Sequence, residues 1–345
     1  MHPLQTTIDQ YAAQFDRRRM TILAAHVEED NGTVLRGRVL DRSQHAALLA
    51  LLPNVRDELI VLREQPEHGF ATVTFGVLDV RWQATRDSEL VTEASFGEGL
   101  EVLAHEHEWL QVITSDGYLG WVRRNGVVLH EQPSTYRSAA THVVTSRWLP
   151  LWGLEGDQIG LLPWGIRLEI DEFRDGKAFM RSPAGLPGWL EADSLTPVED
   201  LCSVDSAGIE DMLQAIRQLI GVPYLWGGTT SFGFDCSGLA QAAYRWLGVQ
   251  LPRDADQQSQ IGRLISREQV AAGDLLFWGV LRNIEDYRHE RINHVSIALD
   301  NEWMIHANQR NWSISLDRID EVNAQVYQAQ GNPGLVVIRR IREEQ

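Results

Sequence analysis

From about residue 73 to 132 the chain is cut into short stretches that alternate or run apolar: 73–80, 101–104, 109–113 and 120–122. Turn residues separate them, and segments of this length and pattern read as strands. Residues 140–198 repeat the texture more loosely: Leu161-Leu162-Pro163-Trp164-Gly165 precedes a strand and Leu186-Pro187-Gly188-Trp189-Leu190 closes it. Pro197 and the polar run after it mark a linker. Such a region folds into small sheets, each with its own interior. At 345 residues the chain also exceeds the size at which one core grows comfortably, so several domains are expected.

Charge narrows the partners. The net charge is −17, with acidic residues spread along the chain. Nucleic acid and anionic lipid both need a cationic surface, so neither is expected as a partner. The two cysteines, Cys202 and Cys236, cannot build a disulfide framework, although one bridge between them is open. The first ten residues lack the charged start and apolar run of a secretory signal, and no stretch approaches ~20 consecutive apolar residues. No membrane span is expected. A cytoplasmic location follows for a chain that begins at its natural start; one whose leader had been removed would read the same and be extracytoplasmic.

Residues 1–70 read as a small α/β unit, with strands over 20–27, 33–40 and 58–62 and a helix over 43–52. The chemical content lies in 205–345. An amphipathic helix over 209–220 ends at Gly221, and a loop rich in Gly and aromatic residues follows. Asp235-Cys236-Ser237-Gly238 opens a helix running to about Leu247, where Gly248 is a natural stop. Apolar strands are expected over 274–278, 294–299, 303–306 and 336–340.

A cysteine at a helix start meets unpaired N–H groups and the helix dipole, which favour the thiolate. Cys236 is therefore a candidate nucleophile with a lowered pKa, although a free thiol is also a common buried structural residue. His294 opens one apolar strand and His306 ends the next. A thiol, a histidine to take and return its proton, and a third group to orient that histidine make a nucleophilic site. Both histidines must then point the same way. Direct pairing would centre the hairpin on Asp300 and require an odd loop or a bulge. The spacings of His289, His294 and His306 with Asp274 or Glu290 match no common zinc pattern, and neither metal nor cofactor is expected.

Two resemblances follow from these motifs. Trp109-Leu110-Gln111-Val112 followed by Asp116-Gly117-Tyr118-Leu119-Gly120-Trp121-Val122 resembles a bacterial SH3-like barrel. Gly221-Val222-Pro223-Tyr224-Leu225-Trp226-Gly227-Gly228, Phe234-Asp235-Cys236-Ser237-Gly238-Leu239, Gly273-Asp274-Leu275-Leu276-Phe277, Asn293-His294-Val295-Ser296-Ile297 and Ile305-His306-Ala307 resemble, in order, the NlpC/P60 peptidases. That resemblance covers roughly 210–340. It implies an α+β, papain-like fold and cleavage of bacterial cell-wall peptides next to γ-D-glutamyl. It makes Cys236 the nucleophile, His294 the base and His306 the orienting residue. Tyr224 would help hold the oxyanion, and Asp235 and Ser237 would contact substrate, although Asp235 is also a natural helix N-cap and Ser237 a first-turn residue.

The expected organisation is an α/β unit over 1–70, SH3-like barrels over 73–132 and 138–198, and the peptidase domain over 205–345. Two barrels ahead of such a domain resemble the subfamily that splits small murein peptides carrying a free N-terminal L-Ala, in which the first barrel closes one end of the cleft. Glu89, Tyr118 and Asp254 would face the substrate's amine. The expected partner is thus a small murein peptide, cut between γ-D-Glu and lysine or diaminopimelate. The rivals are an endopeptidase on intact peptidoglycan stems, an acyl transferase and a non-catalytic wall-binding protein. The charged stretch 279–291 is either a lid or an idle surface loop.

Overall fold

The computed structural model describes residues 3–16, 18, 22–201, 204–284 and 287–341, with the backbone alone over 282–284 and 287–290. Cys202 and the side chains of His289 and Glu290 lie outside the described residues. No helix among the described residues is long and apolar enough to cross a membrane.

The N-terminal unit is a three-stranded sheet of Leu23–Glu29, Thr33–Val39 and Arg56–Val61, carrying helices Pro3–Ala12 and Arg42–Leu51. The first pair is antiparallel and the second parallel, because the Arg42–Leu51 helix carries the chain back across the sheet. Asp41 caps that helix by accepting from the Gln44 N–H. Ile8, Leu35, Val39, Leu48, Leu52 and Val61 form its core.

Next comes a seven-stranded antiparallel sheet, from Gly69–Val73 to Val127–His130, rolled around one interior that includes Val73, Val80, Val102, Leu110, Val112 and Val122. The stretches from His142–Val144 to Leu195–Pro197 form a three-stranded and a five-stranded sheet around a second interior. Phe96 of the first barrel packs into this second core. Trp164 leaves the second barrel to stack on Trp246, with ring centroids 5.0 Å apart and planes 5° from parallel, and joins the core of the C-terminal domain.

That domain packs helices Ser206–Arg217 and Cys236–Trp246 on a six-stranded antiparallel sheet. The sheet is buried on both faces, as its continuous apolar strands require. Leu275, Phe277, Val295 and Ile297 meet the helices, while Leu276, Trp278, Ala298 and Met304 enter a separate core with Val322 and Tyr327. Two results differ from the sequence reading. Within the stretch 279–291 the described residues are strands: Leu275–Ile284 and Tyr287–Ala298 run on as a paired ribbon, with a bulge opposite Trp278 and Gly279, and residues 285–286 lie outside the described residues. A further strand, Ser313–Arg318, pairs with Trp303–Asn308.

The first barrel docks on the C-terminal domain through a buried carboxylate. Glu93 accepts from the Thr229 N–H at 2.8 Å and the Thr230 hydroxyl at 3.1 Å. Burial pushes its pKa from 4.5 up to about 7, partly offset by those two bonds. A folded-state pKa above the unfolded one means that stability falls as pH rises between the two. Ionising Glu93 should therefore cost the docked state up to roughly 3 kcal/mol, spread over that interval. Denaturation midpoints across this range should fall for the wild type and stay flatter for Glu93→Gln; parallel curves would mean that Glu93 does not titrate there.

Candidate active site

A cleft of about 700 Å³ opens where the start of the Cys236–Trp246 helix meets the first barrel. Backbone shape accounts for the glycines around it. A side chain at Gly238 would meet the Gly228 carbonyl oxygen at 2.1 Å, and Gly227 has φ +79 with the Leu90 carbonyl 2.5 Å from where a Cβ would stand. Asp235 caps the helix, accepting from the Gly238 N–H at 2.7 Å with one oxygen and from the Gly227 N–H at 3.0 Å with the other. Cys236 therefore sits at the first helical position, under a loop that only glycine can bring this close.

Both oxygens of Asp235 are also held by Arg253, at 3.1 and 2.5 Å, and Arg253 donates to the Ser237 hydroxyl at 2.9 Å and to Thr92 of the first barrel at 2.9 Å. Asp235 and Ser237, expected to touch substrate, are thus placed at the cleft and tied into a buried network. Nothing in the sequence reading singled out Arg253, which is 1% exposed.

The histidines come together. His294 Nε2 lies 2.8 Å from His306 Nδ1, and His306 Nε2 lies 2.9 Å from Asp317 Oδ2. Ser315 also donates to that Asp317 oxygen, and Arg310 donates to the other at 2.5 Å. The hairpin register pairs Ile297 with Ile305 and Ala298 with Met304, which centres it on Asn301, one residue beyond the expected centre. The loop 300–302 is odd, so the histidines share a side, as diagonal neighbours rather than direct partners. Asp317 was missed, although Ser313-Ile314-Ser315-Leu316-Asp317-Arg318 alternates as a strand should and could have been read.

Proton placement follows from these bonds. An ionised Asp317 accepts the proton on His306 Nε2, so His306 Nδ1 is bare and accepts the proton on His294 Nε2. That leaves His294 Nδ1 free to take a proton. Burial raises the Asp317 pKa, but the bonds from His306 and Ser315, with the Arg310 charge, bring it below its ordinary value. Burial, then the neighbouring His306, holds His294 well below its usual pKa, so its ring is neutral near pH 7.

The thiol departs from expectation. Cys236 reaches the cleft, yet burial and then the Asp235 carboxylate push its pKa up to about 12, against smaller opposing help from the Val295 and Ser237 N–H groups. The helix start does not outweigh desolvation here. The resting pair is a neutral thiol and a neutral imidazole, both lining the same cleft. Tyr224 is likewise kept protonated, chiefly by burial, and remains a donor.

Glu89, Tyr118 and Asp254 all line one wall of the cleft. Tyr118 donates to Asp254 at 3.3 Å, whereas Glu89 accepts from the Trp226 indole at 2.7 Å. The sequence reading missed Arg18, whose guanidinium meets Asp16, Asp254 and Asp256 at 2.9–3.2 Å. Its carbonyl accepts from the Leu119 N–H, pinning the N-terminal unit to the first barrel. The run of three arginines at 17–19 in an acidic chain was the available signal.

The raised thiol pKa makes a kinetic prediction. Alkylation of Cys236 by iodoacetamide should be slow at pH 7 and still be rising above pH 9. A plateau below pH 7 would instead mean a preformed thiolate–imidazolium pair.

Comparison with known proteins finds matches in two parts of the chain. Residues 221–331 match the NlpC/P60 family, and residues 80–127 match the bacterial dipeptidyl-peptidase SH3 domain. The chain is 26% identical over 264 residues to a γ-D-glutamyl-L-lysine dipeptidyl-peptidase of Bacillus subtilis, covering 70% of this chain and 80% of that one. It is 23% identical over 249 residues to the protein of the same name from Bacillus cereus, covering 69% and 73%. The crystal structure of an NlpC/P60 family protein from Bacillus cereus superposes with a TM-score of 0.66 at 19% identity, over 79% of this chain and 99% of that one, a likeness of fold. The chain therefore carries an NlpC/P60 domain behind an SH3 domain of the bacterial dipeptidyl-peptidase type.

Proposed function

We propose that this protein is a cysteine peptidase of short cell-wall peptides. It cuts murein peptides with a free N-terminal L-Ala between γ-D-Glu and the diamino acid, and it releases L-Ala-γ-D-Glu. The observation that carries the reading is the relay from Asp317 through His306 to His294, which leaves a bare imidazole nitrogen in the cleft that holds Cys236. The names of the relatives support the substrate class.

In the proposed mechanism the Cys236 thiol loses its proton to His294 Nδ1 as the sulfur attacks the γ-carbonyl carbon. With a neutral thiol these two events are coupled rather than sequential. The carbonyl oxygen becomes an oxyanion facing the Cys236 N–H and the Tyr224 hydroxyl. Collapse breaks the C–N bond, and His294 returns the proton to the leaving amine. A water then gives a proton to His294 and its oxygen to the thioester carbon, and the sulfur leaves with that proton. His306 and Asp317 hold the tautomer of His294 throughout.

The closed end suits an ammonium. Among the described residues of this corner, Asp16, Asp235, Asp254, Asp256 and Glu89 stand against the cations Arg18 and Arg253, so the balance of these side chains stays negative. An α-amino group carries its proton below about pH 8, and a buried ammonium needs such carboxylates.

Three outcomes are expected from mass spectrometry of L-Ala-γ-D-Glu-diamino acid digests. Cys236→Ala should stop cleavage and keep the fold. Asp317→Ala should lower kcat by about tenfold or more with KM little changed, because it frees the His306 ring. N-acetylation of the peptide, or Asp254→Asn, should lower kcat/KM by more than about tenfold, since losing one partner of a buried charge pair costs ~2–5 kcal/mol. Equal cleavage of acetylated and free peptide would mean an open cleft and an endopeptidase of intact stems.

A further inference from the structure

Trp312 combines two features that folding alone does not favour. Its φ is +52, in the left-handed region that a residue with a β-carbon adopts at a cost. The other described non-glycine residues with positive φ are Asn31, Asn54, His107 and Asp175, whose types accept it most readily. Trp312 is also 65% exposed, so its large ring buries little apolar surface in return. A glycine would make the same turn without strain.

What the indole gains is a contact with a residue of the cleft. The Tyr224 N–H donates to the Trp312 carbonyl at 2.9 Å, and Pro223 pairs with Ser313 beside it, so Tyr224 and Trp312 lie opposite each other on adjacent segments. Their rings meet edge to face, with centroids 6.2 Å apart and planes 82° from parallel, as aromatic pairs prefer. Tyr224 is half-buried, and Leu225 and Trp226 after it are exposed, so the chain beyond it gives its ring little cover. The turn that carries Trp312 is itself held. The Asn308 side chain accepts from the Asn311 N–H at 2.8 Å. The amides of Asn308 and Asn311 both donate to the Ser315 hydroxyl, at 2.8 and 2.9 Å, and Ser315 donates to Asp317 at 2.9 Å. Trp312 thus stands on a base clamped to the outer end of the histidine relay.

We propose that Trp312 is a positioning residue, whose ring holds the Tyr224 side chain with its hydroxyl toward the cleft and in register with the relay. The strained backbone is retained because an indole here does what a glycine cannot. The kinetic consequence rests on the oxyanion role given to Tyr224 above.

The test measures kcat, KM and the denaturation midpoint for wild type, Trp312→Gly, Trp312→Phe, Tyr224→Phe and the double variant Tyr224→Phe/Trp312→Gly, with L-Ala-γ-D-Glu-diamino acid peptides as substrate. An oxyanion donor is worth about 10²–10³ in kcat, and misplacing it forfeits part of that, so Trp312→Gly should lower kcat by about tenfold or more with KM little changed. Its midpoint should stay near that of the wild type, because relief of strain offsets the lost ring contact. Trp312→Phe should restore most of kcat. In the Tyr224→Phe background the glycine should change kcat by less than about twofold. A kcat unmoved by Trp312→Gly, an equal loss with and without the Tyr224 hydroxyl, or a loss matched by a fall in the midpoint overturns the inference. Crystal structures test it without turnover: Tyr224 should hold one rotamer in the wild type and leave it in Trp312→Gly, and an unmoved Tyr224 overturns the positioning role. Tyr224→Phe as active as the wild type, or no turnover by the wild type, overturns the reading above alone, and the crystal comparison then decides the positioning role.

Discussion

The buried pair of Asp235 and Arg253 is the contact on which the site depends. One carboxylate caps the Cys236 helix, holds the Gly227 loop and accepts a guanidinium fork that also reaches Ser237 and Thr92. Isolated charges this deep would be too costly to keep, and here each has several partners. The network fixes where the helix begins, hence where Cys236 points, and it joins the C-terminal domain to the first barrel. Removing either partner would leave an uncompensated buried charge beside the thiol.

The same burial sets the chemistry. It raises the Cys236 thiol, lowers His294 and keeps Tyr224 protonated. A neutral pair stores no ion pair at rest, and in the proposed mechanism charge develops only as the sulfur attacks. The His306–Asp317 chain matters more in such a site, because it selects the tautomer that can accept a proton. In the proposed site two residues follow His294 in the hydrogen-bond chain, and the outer one, Asp317, is anchored by Ser315 and Arg310.

The N-terminal unit also has a place in this picture. It showed no chemistry in its own sequence, yet Arg18 reaches the far end of the cleft and gathers carboxylates from two units. It meets the acidic corner at the same point as Tyr118 of the first barrel, through Asp254. Three parts of the chain thus meet around one cavity.

Much of this was legible beforehand. The Gly-Gly, Asp-Cys-Ser-Gly, Asn-His and Ile-His-Ala motifs placed Cys236 on a helix and both histidines on a hairpin, because motif spacing and strand parity are local properties. The charged residues 279–284 and 287–291 were misread as part of a loop because their polar side chains hide a ribbon held by backbone bonds, which side-chain patterns do not report. Arg18, Arg253 and Asp317 were out of reach for a different reason: their partners lie 236, 18 and 11 residues away in Asp254, Asp235 and His306. Sequence alone determined which residues could do the chemistry, since that depends on side-chain type and on short-range periodicity. Only the tertiary structure decided the protonation states and the ion pairs of the cleft, because desolvation and charge pairing are set by what long-range folding brings alongside.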